Sequence, residues 1–124
     1  MAHKILVADD NEQIRRLLTI SLEQAGYSVA AAASGIQALE LLKTSSQFDL
    51  ILTDLVMTDM DGLALLTEIK RTDPGLPVIA MSGAFSGRLL KFAASFGVPT
   101  IEKPFDLAKL LKVVESALSQ NTVG

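Results

Sequence analysis

Apolar residues along this chain fall into two alternating rhythms. Short runs that are apolar at nearly every position are each followed by a longer stretch where apolar residues recur every three or four positions. Residues 4–8 form the first run, and their length and β-branched content predict a buried strand. Ile14, Leu17, Leu18, Leu22 and Ala25 then fall on one helical face, with Asn11 or Asp10 as the cap and Gly26 as the stop. Residues 27–32 predict an alanine-rich second strand. Ser34 with Gln37 three positions on is a capping-box pattern, and it opens a helix through Ala38, Leu39, Leu41 and Leu42. Residues 49–53 predict a third strand that ends at Asp54. A loop over 55–61 leads into a helix over 62–71, which Asp73, Pro74 and Gly75 break. Residues 77–81 predict a fourth strand ending at Ser82 and Gly83, and Leu89, Phe92, Ala93 and Phe96 mark a helix closed by Gly97. Residues 99–102 predict a short fifth strand ending at Lys103 and Pro104. Asp106 then caps a helix with Leu107, Leu110, Leu111, Val114 and Leu118 on one stripe.

Strands alternating with helices imply an α/β fold: a parallel sheet with right-handed crossovers and helices on both faces, a three-layer α/β/α sandwich. One domain over residues 1–120 is expected, with 121–124 as a frayed tail. Composition narrows the function. Mean hydropathy is high, at +0.38, yet polar residues interrupt every apolar run well before the ~20 residues of a membrane span. Strands buried on both faces account for the value. The absence of cysteine removes disulfide, thiol and zinc-thiolate chemistry, and His3 is the one histidine, which leaves no histidine dyad or cluster. A net charge of −3 without any basic run argues against direct nucleic-acid binding, which needs phosphate neutralisation. The opening residues lead into too short an apolar run for a signal peptide, so a cytoplasmic location is expected.

The polar residues carry the chemistry through their positions. Asp9 with Asp10, then Asp54, Ser82 and Lys103, each stand at the C-terminal end of a different predicted strand. In an open α/β sheet, ligands bind at that rim, where the strand order reverses. Taken singly, each has a plain structural meaning: paired aspartates cap helices, and Ser-Gly and Lys-Pro make turns. Their coincidence on one rim is what points to a site. Three carboxylates brought close together repel one another, and a divalent cation relieves that cost. Hard oxygen ligands suit Mg2+. Phosphoryl transfer needs positioning and charge neutralisation above all. A metal, Lys103 and Ser82 would each cover one phosphoryl oxygen, leaving Asp54 as the nucleophile of an acyl phosphate. The new group would bring roughly −1.5 to −2 charge, enough to draw the Ser82 loop toward it. Asp61 before Gly62 reads as a helix cap, and Asp59 as a solvated residue.

The sequence Val7-Ala8-Asp9-Asp10-Asn11, the run from Asp49 to Asp54, Met57 with Asp61-Gly62, Met81-Ser82-Gly83 and Lys103-Pro104-Phe105 together resemble a response-regulator receiver domain of two-component signalling. The likeness extends along the whole chain except the tail, and is similar to the single-domain chemotaxis type. It implies a flavodoxin-like, doubly wound five-stranded parallel sheet in the order 2-1-3-4-5. Asp54 would be the phosphoacceptor, and Asp9, Asp10, Asp54 and the Val56 backbone carbonyl would hold Mg2+. Ser82 would be the switch hydroxyl and Lys103 the phosphate-binding lysine, with a cis Lys103–Pro104 bond. The donor would be a phosphohistidine on a histidine kinase or a histidine phosphotransfer protein. The last helix, the last strand and the helix over 85–96 would meet an unidentified downstream protein, in a monomer or a phosphorylation-dependent dimer. Such a module is a switch that acts only on its own phosphorylation state, not a metabolic enzyme.

Departures from the family pattern lie at Thr100, where relatives carry an aromatic switch residue, and at the apolar pair Val56 and Ala84, where polar groups in relatives orient or block water. Thr100 has no ring to bury, so output is expected to depend less on that position. Loss of phosphate is expected to follow steric access alone at the apolar pair. Three other readings compete: a degenerate receiver acting as a phosphorylation-independent scaffold, an aspartate-nucleophile phosphatase, and a receiver excised from a longer protein. The intact set of Asp9, Asp10, Asp54, Ser82 and Lys103 argues against the scaffold. The phosphatase would need two acids two residues apart after the first strand, where this chain has adjacent Asp9 and Asp10.

Overall fold

Each apolar run becomes a strand and each three-to-four periodic stretch a helix. A computed structural model describes residues 3–44, 47–57, 59–60, 62–83 and 87–123, with backbone alone for 87, 89, 90 and 120–123. In chain order the elements are β1 (Lys4–Ala8), α1 (Glu12–Gln24), β2 (Ser28–Ala32), α2 (Gly35–Thr44), β3 (Leu50–Asp54), α3 (Gly62–Thr72), β4 (Val78–Ser82), α4 (Gly87–Ser95), β5 (Thr100–Glu102) and α5 (Leu107–Val123). The last helix thus continues into the stretch expected as a tail.

All strand pairs are parallel, and the order is β2-β1-β3-β4-β5. The chain therefore winds outward from β1 in one direction and then from β3 in the other. The switch point lies between those two strands. The register sets the level of the rim: Ala8 pairs with Thr53, Asp54 with Met81, and Ser82 with Glu102. Residues that leave the strand ends consequently leave them side by side. The Lys103–Pro104 peptide bond is cis.

Side chains alternate across a strand, and here both faces are covered. Ile5 and Val7, Leu50 and Leu52, and Ile79 and Met81 pack with Leu18 and Leu22 of α1 and with Leu110, Val114 and Leu118 of α5. Leu6, Ala8, Ile51, Val78 and Ala80 pack against the other layer, with Ala38 of α2, Leu65, Leu66 and Ile69 of α3, and Ala93 of α4. This two-sided burial is why β1, β3 and β4 read as continuous apolar runs without polar alternation. Each fully buried Leu or Ile contributes about 1.5–3 kcal/mol.

Two helical stripes are narrower than the sequence suggests. Leu17 is 46% exposed, since it lies about 100° around α1 from buried Leu18. Among the described side chains of α4, Ala93 is buried in the core, while Phe92 and Phe96 stay 43% and 44% exposed. Their rings pack on each other edge-to-face, 5.1 Å between centroids. The caps follow expectation where they are described. Asn11 Oδ1 accepts from Ile14 N at 3.0 Å. Ser34 Oγ accepts from Gln37 N at 3.1 Å, and Gln37 Oε1 accepts from Ala33 N at 2.7 Å. The cap expected at Asp61 lies outside the described residues. No described helix is long and apolar enough to cross a membrane.

The start of α3 is held by close backbone packing. Gly62 N donates to Leu55 O at 3.0 Å, and a Cβ at position 62 would come within 2.1 Å of that oxygen. Gly75, by contrast, has nothing within 4 Å of an added Cβ. Urea unfolding is therefore expected to show Gly62→Ala destabilised by about 3 kcal/mol, the upper range for overpacking, with Gly75→Ala close to wild type.

Candidate functional site

The rim formed by β1, β3, β4 and β5 gathers the residues singled out by the sequence. Asp9 follows β1, fully buried. Asp54 ends β3 and is only 6% exposed. Lys103 follows β5, and its ammonium bridges the two acids: Nζ donates to Asp9 Oδ2 at 2.9 Å and to Asp54 Oδ2 at 2.7 Å. Backbone donors take the other oxygens, with Asn11 N on Asp9 Oδ1 at 2.9 Å and Val56 N on Asp54 Oδ1 at 3.0 Å. Arg15 reaches back from the second turn of α1, its Nη1 donating to the Asp9 carbonyl at 2.8 Å.

Asp10 is the exposed member, yet carboxylate oxygens of Asp9, Asp10 and Asp54 lie within 4.8 Å of one another. Against one ammonium, three carboxylates leave a local negative excess. Each carboxylate oxygen keeps lone pairs beyond the one already used. The donor set of hard oxygens, partly open through Asp10, fits a divalent cation of the magnesium kind. Ser82 ends β4, fully buried, and its Oγ has no hydrogen-bond partner among the described residues. A buried hydroxyl in that condition costs about 1–3 kcal/mol. Ser82 is also tied to the lysine: Lys103 N donates to Ser82 O at 2.7 Å.

Burial alone would lower the Lys103 pKa. Hydrogen bonds to Asp54 and Asp9, with the charges of the same two groups, outweigh it and hold the ammonium above its ordinary 10.5. Lys103 therefore stays charged across the physiological range.

The sequence profile of the response regulator receiver domain matches residues 5–115. The chain belongs to that family. Phosphorylation of the receiver and magnesium binding are general features of this two-component signalling family, and the chain is accordingly a phosphoryl-accepting receiver domain. It is 41% identical over 122 residues to the DNA-binding transcriptional regulator NtrC of Azospirillum brasilense, covering 98% of this chain and 25% of that protein. It is 35% identical to the response regulator receiver protein CpdR of Brucella abortus (strain 2308), covering 93% of this chain and 96% of that one. A receiver domain structure from Clostridium thermocellum superposes with a TM-score of 0.92 at 27% identity, covering 98% of each chain. The receiver spans about a quarter of the length of the transcriptional regulators it matches.

Asp9, Asp10, Asp54, Ser82 and Lys103 thus share one rim, with Val56 beside Asp54 and 52% exposed. Thr100 stands exposed on β5. Ala84 and Phe85 lie outside the described residues. Two contributors escaped the sequence reading. Arg15 gave only a weak signal, a basic residue one turn beyond a helix cap. Asp59, expected to be solvated, is exposed and in addition reaches another element: Oδ1 accepts from Gly35 N and Oδ2 from Ile36 N, each at 3.0 Å. These bonds, led by that of Ile36, lower the Asp59 pKa below its ordinary 3.8 despite opposing desolvation. No local pattern could have revealed a contact across 24 residues.

Removing the ammonium would leave two buried acids without a counter-charge. In magnesium-free buffer at neutral pH, Lys103→Met is expected to unfold at lower urea, with a loss of about 3 kcal/mol. Because the folded-state pKa of Lys103 is raised, its contribution is fully present below pH 10.5 and is lost as pH rises through the higher folded value. The gap between wild type and variant should therefore be constant near neutrality and close in strongly alkaline urea melts.

Proposed function

We propose that Asp54 is the residue of this receiver that carries the phosphoryl group. The donor is a phosphohistidine on a histidine kinase or a histidine phosphotransfer protein, and the two states of the receiver bind a downstream protein differently. The observation that carries this reading is the convergence on one rim of three carboxylates, a paired ammonium and a buried serine hydroxyl without a partner among the described residues.

In this reading a carboxylate oxygen of Asp54 attacks phosphorus. The new O–P bond forms as the N–P bond to the donor imidazole breaks, and the electron pair returns to the ring nitrogen. The product is an acyl phosphate. Lys103 supplies a fixed positive charge next to the acceptor, already oriented by Asp9 and Asp54. Ser82 Oγ offers a hydrogen bond to a phosphoryl oxygen, which would satisfy the hydroxyl. Asp9, Asp10, Asp54 and the Val56 carbonyl would hold Mg2+, which supplies charge neutralisation at the phosphoryl oxygens when bound. The receiver acts on its own phosphorylation state and turns over no separate substrate. The surface that reads the state comprises α4, β5 and α5, where Phe92 and Phe96 are exposed and Thr100 contributes no ring.

Incubation with acetyl phosphate and Mg2+ followed by intact-mass measurement tests the assignment. One added phosphoryl group is expected on wild type, none on Asp54→Asn, and none on wild type once the metal is chelated. Failure of both acetyl phosphate and a histidine phosphodonor to label wild type would favour the scaffold reading.

A further inference from the structure

The loop between β3 and α3 carries Val56, whose carbonyl is assigned above to the magnesium site, and it is tied to a distant helix by one side chain. At its near end the loop is fixed within the sheet: Leu55 N donates to Met81 O at 2.9 Å, and Leu55 O accepts from Gly62 N at 3.0 Å. Met57 is anchored in the core at 8% exposure. Asp59 and Met60 are the next described residues of the loop. Asp59 crosses to α2 and takes the N–H groups of Gly35 and Ile36, one on each carboxylate oxygen. Met60 follows it onto the same turn, so close that a Cβ on Gly35 would lie 2.9 Å from Met60 Cβ.

A carboxylate that accepts two N–H groups of a helix's first turn fixes direction as well as distance. The contact is bidentate, joins the β3–α3 loop to the first turn of α2, and sits within a few residues of Val56. Asp59 itself is not a member of the acid cluster, which consists of Asp9, Asp10 and Asp54. Its use is therefore mechanical. We infer that Asp59 is a positioning residue for the cation site: by clamping the loop to the start of α2 it restricts the orientations open to the Val56 carbonyl, so that magnesium meets a prearranged ligand. The inference rests on the proposed magnesium role of Val56 and of the acids.

Pre-organisation of this kind appears as affinity for the cation and leaves the attack by Asp54 untouched once the site is filled. Magnesium titration by calorimetry on the full chain is therefore the readout, with Asp59→Ala and Asp59→Asn beside wild type. Asp59→Ala is expected to weaken magnesium binding at least threefold. Asp59→Asn, which keeps one acceptor oxygen, is expected to fall between. Acetyl phosphate labelling at saturating magnesium should stay within twofold of wild type for both. A role confined to fold stability would lower the urea midpoint of Asp59→Ala and leave the magnesium Kd unchanged, and that result would overturn the inference alone. Wild type that binds no magnesium would overturn the assignment of the site and this inference with it.

Discussion

The ammonium of Lys103, shared between Asp9 and Asp54, is the contact on which the site and much of the fold depend. Two carboxylates almost withdrawn from water need a counter-charge close at hand. That charge comes from 94 residues away along the chain for Asp9 and 49 for Asp54. It arrives only if β1, β3 and β5 end at one level, which the parallel register and the order β2-β1-β3-β4-β5 secure. The ion pairs thus join three connections that share no strand. They do not balance the site, because Asp10 adds a further carboxylate to the group. A region with an excess of carboxylates and a buried hydroxyl that has no partner among the described residues is less stable than a core could be, and local rules are commonly broken in this way where a site is built.

The rest of the architecture makes that imbalance tolerable. The strands beneath the rim are flanked by apolar layers on both faces, so their ends emerge from a rigid base. Backbone N–H groups of Asn11 and Val56 satisfy the acids from the turns that follow β1 and β3. Arg15 holds the carbonyl of Asp9 from α1. One oxygen of Asp9 and one of Asp54 are therefore oriented by the chain segment next to them, while the charge comes from across the sheet. Local bonds set direction and the distant lysine sets electrostatics, so the acids remain fixed whatever occupies the space in front of them.

Much of this was legible in the sequence, for identifiable reasons. Strands buried on both faces leave uninterrupted apolar runs, and the positions that end them are unambiguous, so Asp9, Asp10, Asp54, Ser82 and Lys103 could be placed on one rim without coordinates. The faces of helices were less legible. Leu17 and Phe92 satisfy the apolar period as well as their neighbours do, and only the contact with the sheet decides that Leu18 and Ala93 are the buried ones. Asp59 was illegible because its partners, Gly35 and Ile36, are backbone donors, which leave no mark in a sequence. The capping box at Ser34 and Gln37 revealed where α2 begins but not that a third side chain would join it.

Thr100 poses the remaining physical question, which is how a change at Asp54 can reach the α4-β5-α5 surface without an aromatic ring to move. Coupling requires a contiguous connection whose arrangement both sites bias. Contiguous contacts do join the rim to the last two strands. Lys103 N donates to Ser82 O, Ser82 pairs in register with Glu102, and Lys103 Nζ touches Asp54 directly. The acceptor, the end of β4 and the end of β5 are therefore linked through one lysine by its side chain and its main chain at once. Thr100 lies two residues before Glu102 on the same short strand and pairs with Ala80. Asp54, the end of β4 and the end of β5 are thus joined by hydrogen bonds that do not involve the side chain at position 100.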